Sequence, residues 1–314
     1  MVRRLAVLIG VLVLVAGCAS SQPQPSGSGE TAVTSQSATS TPTPTPTPKP
    51  QLPGGGRQLL PAHRLCGYVG YPGALGQGRL GIGEIDERMT ELHETCAAYA
   101  TDRTIMPVME LIAVTVQPFP GPDGMWRERI DPAVIDEWLA VAREHGAILL
   151  LDIQPGQSRF LDELRVLERY LVQPDVGVAL DPEWAMGPGQ VPMQSFGSTS
   201  GEELDEVAGY LSDLVVANDL PDKAMVYHIL HPTIISNEAA LQPHPGVVLI
   251  KSVDGIGAPP DKISTYEQVS AGVPPGVQMG FKLFYEEDVE ASGVLMSPEA
   301  VLALVPVPDY VLYE

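Results

Sequence analysis

Beyond residue 60 the chain carries two alternating kinds of hydrophobic spacing. Nearly continuous apolar runs rich in Val, Ile, Leu and Tyr fall at Leu65–Gly70, Ile105–Val116, Ile148–Gln154 and Val176–Asp181. Four more follow at Met225–Leu230, Val247–Asp254, Val277–Tyr285 and Tyr310–Tyr313. Runs without a clean polar alternation are what strands covered on both faces require. Between them, apolar residues recur at three- and four-residue steps. Ile85, Met89, Leu92 and Cys96 mark a helix within Glu84–Tyr99; Ile135, Trp138, Leu139 and Ala142 mark another over Pro132–His145, opened by Asp131 as a cap with proline in the first turn. Further helical stretches are expected at Arg159–Leu171, Gly201–Asn218, Asn237–Leu241, Asp261–Ser270 and Ser297–Leu304. Alternation of strand and helix implies parallel pairing through right-handed crossovers, and eight strands in about 250 residues fit an α/β fold of the (β/α)8 TIM-barrel type. An open, doubly wound sheet is the competing arrangement, chiefly because the helices around the sixth unit are short.

The first 56 residues have neither pattern. Arg3 and Arg4 precede the apolar run Leu5–Val15, and small residues lead to Cys18, as in a secretory leader whose apolar core is too short for a comfortable membrane span. Val15-Ala16-Gly17-Cys18 resembles the lipobox of bacterial lipoproteins. That resemblance implies a signal peptide over residues 1–17, a diacylglyceryl group on Cys18, and an exported protein held by lipid to the outer face of the cell membrane. From Ala19 to Gly56 the chain is Ser, Thr, Pro, Gln and Gly with few large apolar residues, and Thr41–Pro48 is a strict Thr-Pro alternation that favours extended polyproline II. The expected organisation is therefore a lipidated linker over residues 18–56 and a barrel domain over residues 57–314, extending into the cell wall.

The formal charge of −21 repels phosphate backbones, and no basic cluster offsets it, so nucleic acid is not an expected partner. With Cys18 acylated, Cys66 and Cys96 are the two cysteines left, and export makes them candidates for a disulfide tying the first strand to the following helix.

A barrel places functional side chains just beyond the C-terminal ends of its strands. Acids gather at those positions here. The third run ends in Leu151-Asp152-Ile153-Gln154, the fourth in Asp181-Pro182-Glu183-Trp184, the sixth in Asp254 and the seventh in Tyr285-Glu286-Glu287-Asp288, while Glu110 lies within the second. Polar groups inside apolar runs are costly to bury unless paired, so a ring of them suggests a wet, functional mouth. On the fourth strand Gly177, Ala179, Asp181 and Glu183 share one face, with two small residues leaving space below two carboxylates. Trp184 then offers a flat apolar face on which a sugar ring can stack. Glycosidic cleavage needs one protonated and one ionised carboxyl. Asp152, Asp181, Glu183 and either Glu286 or Glu287 are the catalytic candidates, with Glu110, Trp184, His228, Asp254 and Tyr285 as substrate contacts. His228 and His231 could be imagined to join Asp152 or Asp254 around a metal, but residues three apart on a strand face opposite ways and the spacing is not that of a helical zinc motif. No phosphate-binding Gly-Lys-Ser/Thr loop and no Gly-x-Ser-x-Gly elbow occurs, so no cofactor or metal is expected. Lys251 and Lys282 either reach toward the helical layer or neutralise a rim carboxylate.

Val178-Ala179-Leu180-Asp181-Pro182-Glu183-Trp184 resembles the Asp-x-Glu strand end of the family 25 lysozyme-type glycoside hydrolases, barrels that act on peptidoglycan. The opening strand Cys66-Gly67-Tyr68-Val69-Gly70-Tyr71 lacks the early aspartate of that family. Glu183 with Glu286 or Glu287 is also similar in position to the acid/base on strand four and nucleophile on strand seven of a broad clan of glycosidase barrels, with Pro182-Glu183 where an Asn-Glu pair is usual. Ala179–Trp184 and Phe281–Asp288 together resemble a group of actinobacterial lipoproteins of unassigned function. These resemblances imply a glycosidase-like protein acting on a cell-envelope glycan; a non-catalytic barrel that binds glycan or a protein partner is the alternative.

Overall fold

The computed structural model describes Pro48–Glu314; the expected leader, Cys18 and most of the spacer lie outside those residues. Eight parallel strands close on themselves. They are β1 (His63–Gly70), β2 (Thr104–Val116), β3 (Ile148–Ile153), β4 (Val176–Leu180), β5 (Lys223–Ile229), β6 (Val247–Val253), β7 (Gln278–Leu283) and β8 (Tyr310–Tyr313). Each pairs with the next, and β1 pairs with both β2 and β8, so the sheet is a TIM-type barrel and not an open sheet. All eight expected strands are present.

The outer layer is formed by α1 (Ile85–Cys96), α2 (Pro132–Glu144), α3 (Phe160–Val166), α4 (Glu168–Leu171), α5 (Gly201–Ala217), α6 (Pro259–Ser270), α7 (Glu287–Ser292) and α8 (Pro298–Leu302). Asp131 caps α2 by accepting from the Ala133 amide, as its position before Pro132 predicts. The β5–β6 connection differs from the others. A 3-10 turn over Glu238–Ala240 stands where a short helix is expected over Asn237–Leu241, after another 3-10 turn, Pro232–Ile234, and a two-residue strand, Ile235–Ser236, paired with Thr199–Ser200. Pro243 and Pro245 follow too soon for a longer helix, and Glu238 is pinned to the barrel wall by the Tyr227 hydroxyl at 2.8 Å and Lys251 Nζ at 2.7 Å. Lys251 thus faces outward, to the helical layer. The seventh strand is also shorter than its apolar run: it ends at Leu283, and the acidic stretch after it winds into α7.

Two apolar shells result. The larger lies between strands and helices; the smaller fills the lower half of the barrel with inward residues such as Leu65, Met106, Val108, Ile148, Leu150, Val226 and Ile250. Gly177 does not open space there, because a Cβ at that position would lie 2.8 Å from Leu150 Cδ2 and 2.6 Å from the Ala224 carbonyl oxygen. Leu52 and Leu59 belong to the same inner shell and stopper the barrel where the strands begin. Arg57 fixes this entry segment by donating to Asp219 Oδ1 at 2.9 Å and to the Leu220 carbonyl at 2.8 Å. Leu52 therefore packs with the barrel although it precedes the expected boundary at residue 57.

Cys66 on β1 and Cys96 at the end of α1 form a disulfide, with Cα atoms 5.8 Å apart. It ties the first strand to its helix.

Candidate active site

Side chains alternate along a strand, so the residues two apart that fill the lower barrel continue upward on the same face. Near the C-terminal ends the inward positions change from apolar to polar: Glu110 on β2, Asp152 on β3, Asp181 after β4, His228 on β5, Ser252 and Asp254 at β6, Lys282 on β7, and Tyr310 and Glu314 at β8. All but Glu314 are nine-tenths or more buried. The parallel ladder extends to their backbones: the Asp181 amide donates to Ile153, Asp254 to Ile229 and Glu314 to Leu283, at 2.8–3.0 Å. These bonds hold the carboxyl groups on a rigid frame.

His228 sits at the centre. Its Nδ1 lies 2.9 Å from Asp254 Oδ2, and Nε2 lies 3.2 Å from Glu110 Oε1, a buried ion pair. Ser252 donates to Asp254 at 3.1 Å, Lys282 Nζ approaches Asp254 at 3.3 Å and Glu314 at 2.6 Å, and the Tyr310 hydroxyl donates to Glu110 Oε2 at 2.8 Å. Gln154 bridges three strands: its carbonyl oxygen accepts from the Val116 amide at 3.2 Å, and its amide donates to Asp181 Oδ2 at 3.0 Å. Gly156 lets the chain turn just beyond it. Its φ is +60°, and a Cβ there would lie 2.3 Å from the Met125 carbonyl. Asp152 Oδ1 and Glu183 Oε2 are buried with no hydrogen-bond partner.

Above this layer is a cavity of about 230 Å3, lined by Asp152, Gln154, Asp181, Glu183, Trp184, Asp254, Lys282 and Glu314 with Val69, Ile112, Leu230, Ile256 and Phe284. Asp152, Asp181, Glu183, Asp254 and Trp184, all expected at the site, thus share one space. His228 and Glu110 lie beneath its floor. Trp184 is half-buried and meets Phe196 edge-on at 5.7 Å. Glu286, Glu287 and Tyr285 do not line this cavity. They border a neighbouring pocket of about 60 Å3 with Arg79 and Leu75, which touches the first through Glu314. The reason is the early end of β7: the chain turns into α7, so the face that carries Lys282 inward is not continued to Glu286. Tyr285 is engaged elsewhere, hydrogen-bonded to the Tyr68 hydroxyl at 3.0 Å and stacked on Tyr313. His231 points away from His228 and bonds Thr233.

Electrostatics separates the carboxyl groups. Burial raises Asp152 well above the ordinary range, reinforced by Asp181 and Glu110, and burial raises Glu183 likewise, reinforced by Asp181 and Asp254. Burial also raises Asp181, but His228 and Lys282 oppose it and leave the group at about 6. Asp254 goes the other way: burial would raise it, yet His228 and Lys282 hold it down at about 2. Burial disfavours charge on His228, and Asp254 and Glu110 outweigh it, so the imidazole is pushed well up; Lys282 is kept charged by Glu314 and Asp254 against its own burial. Within the cavity, burial thus favours the un-ionised form of Glu183, while His228 and Lys282 favour the ionised form of Asp181, a division of roles used by acid/base catalysts.

Sequence reasoning did not single out Gln154, Ser252, Tyr310 or Glu314, and left Lys282 open between two roles. Their common signal is the period of two: each lies an even number of residues from an inward apolar or small position on its strand, as Lys282 does from Gly280.

Outside the cavity, Lys262 and Asp288 form a buried ion pair at 2.8 Å. Asp288 also accepts from the amides of Gly257 and Phe284, both at 3.0 Å, joining the loops beyond β6 and β7.

No family model and no curated protein matches the chain. Among solved structures, an endoglucanase superposes with a TM-score of 0.40 at 11% identity, over 81% of this chain and 89% of that one.

Proposed function

We propose that the protein is a glycosidase-like hydrolase of the cell envelope, anchored to the membrane by lipid on Cys18 and acting on a cell-envelope glycan. The observation that carries this reading is that Glu183, whose un-ionised form burial favours, and the ionisable Asp181 line one cavity together with Trp184. At about 230 Å3 the cavity is smaller than the roughly 300–1,000 Å3 typical of drug-sized ligands, which suits one sugar residue with the rest of the chain outside. In the proposed reaction Glu183 gives its proton to the leaving glycosidic oxygen as the anomeric C–O bond breaks. Water adds to the anomeric carbon and loses a proton to Asp181, or Asp181 itself attacks first and water then displaces it.

The Thr-Pro-rich segment would supply reach. The test of activity is release of reducing ends from cell-wall polysaccharide by the whole chain, with Glu183→Gln removing turnover while preserving the fold and glycan binding. The test of anchoring is Cys18→Ser, which should leave the exported protein unacylated and out of the detergent phase.

One observation favours a second reading. Glu286 and Glu287 lie outside the cavity, which removes the strand-seven nucleophile of the expected pair. A barrel that binds glycan or a protein partner without cleaving it would give retained binding and no reducing ends on a broad glycan panel.

A further inference from the structure

Around the cavity floor lie Glu110, Asp152 and His228: Glu110 Oε1 pairs with His228 Nε2 at 3.2 Å, and Asp152 Oδ1 is buried with no hydrogen-bond partner. These residues are 0%, 3% and 1% exposed. Buried polar atoms are almost always paired, so the orphaned Asp152 Oδ1 beside this ion pair calls for a further partner. One donor atom from each of Asp152, Asp181 and His228 lies within 4.8 Å of the others, and Glu110 Oε1 is 3.2 Å from Nε2. Ligands about 2.1 Å from a common ion stand roughly 3 Å apart at right angles and about 4 Å apart across it.

The other side of His228 fits the same occupant. Its Nδ1 meets Asp254, itself fixed by Ser252 and Lys282, which is how a metal-bound histidine is usually oriented, with the second nitrogen left free to ligate. The charge count agrees. Six carboxyl groups (Glu110, Asp152, Asp181, Glu183, Asp254, Glu314) surround two cationic side chains, His228 and Lys282. We infer that the barrel interior binds one divalent transition-metal ion, of the Zn2+ or Mn2+ class, through His228 Nε2 and Asp152, with Asp181 and Glu110 completing the donor set. The sequence alone gives no such site, because strand register and not spacing brings the four together.

Binding requires His228 Nε2 free of a proton and the Asp152 carboxyl ionised, so any proton they carry passes to solvent. The experiment uses the whole chain, stripped with a chelator and titrated separately with ZnCl2 and MnCl2 by calorimetry in two buffers of different ionisation enthalpy. Bound metal is counted by mass spectrometry after gel filtration. One ion per chain is expected. Asp152→Asn, nearly isosteric, and Asp254→Asn should each weaken affinity about 10- to 100-fold. His231→Gln should leave uptake unchanged. No retained ion at submillimolar Zn2+ or Mn2+, or equal uptake by folded Asp152→Asn, overturns the site; should Asp254→Asn fail to fold, Asp152→Asn decides.

The inference does not rest on hydrolysis, and the two fail separately. Absence of reducing ends from chelator-treated protein sinks the hydrolase, whereas metal uptake is read without any glycan. If both hold, metal engages Asp181 and should lower hydrolysis, with chelator restoring it.

Discussion

Replacing Asp181 by Asn should stabilise the protein while removing its proposed activity, and the size of the effect follows from its surroundings. The folded state raises this carboxyl from 3.8 to about 6, burial being the main cause. Below pH 4 the group is protonated in both folded and unfolded chains and contributes nothing. Above pH 6 it is ionised in both, and the folded state bears the full difference. At about 1.36 kcal/mol per unit, some two units amount to roughly 3 kcal/mol of stability lost as pH rises from 4 to above 6. Asn keeps the shape and can still accept from Gln154, yet never ionises. Urea unfolding of both proteins at pH 4 and pH 7.5 should show the variant more stable by about 3 kcal/mol at the higher pH and nearly equal at the lower. A midpoint increase of roughly 6 to 12 °C at pH 7.5 is the thermal equivalent for a domain of this size. A variant that is less stable at pH 7.5, or whose gain does not change with pH, would refute the claim that Asp181 is held against its preference. Asp254 has the opposite sign. Its depressed value of about 2 gives about 2 kcal/mol of stability that is present above pH 4 and is lost as pH falls toward 2.

Lys262→Met should cost about 3 to 5 kcal/mol, because it strands Asp288 in a buried site; chemical denaturation reads the loss, and a cost under 1 kcal/mol would mean that the backbone amides of Gly257 and Phe284 suffice. Removing the Cys66–Cys96 bond by paired Ser substitution should lower stability by about 3 to 4 kcal/mol, the loop-closure value for a separation of 30 residues, and an unchanged denaturation midpoint would contradict it. Trp184→Ala should raise KM for a glycan substrate with little change in the melting temperature, since the ring is half-exposed at the cavity edge.

The barrel was legible because its strands are buried on both faces and so stand out as apolar runs against amphipathic helices. The β5–β6 crossing was less so: a helical pattern over Asn237–Leu241 gives way to turns when Tyr227 and Lys251, distant in sequence, both bind Glu238. At the mouth, the carboxyls carried by regular strand periodicity, Asp152, Asp181 and Asp254, could be placed together from spacing alone. Glu183 came with them because a tight turn over Pro182–Trp184 keeps it near Asp181. Glu286 and Glu287 could not be placed in the same way. Whether β7 runs on to them or stops at Leu283 is settled by tertiary partners, among them the Lys262 pairing with Asp288, which no local pattern records. Lys282 and Glu314 were similarly ambiguous, since each is polar at a position whose phase fixes its role only once the neighbouring strands are known.

The stopper formed by Leu52, Arg57 and Leu59 bears on mechanical load. Tension applied to the chain ahead of Pro48 is met by the Lys49 ion pair with Asp219, by the Arg57 bonds to Asp219 and Leu220, and by two leucines seated where the strands begin. The ladder bonds that frame the carboxyls are at the strands' far ends. A pull on that segment would therefore load a short clamp at the end of the barrel away from the polar layer.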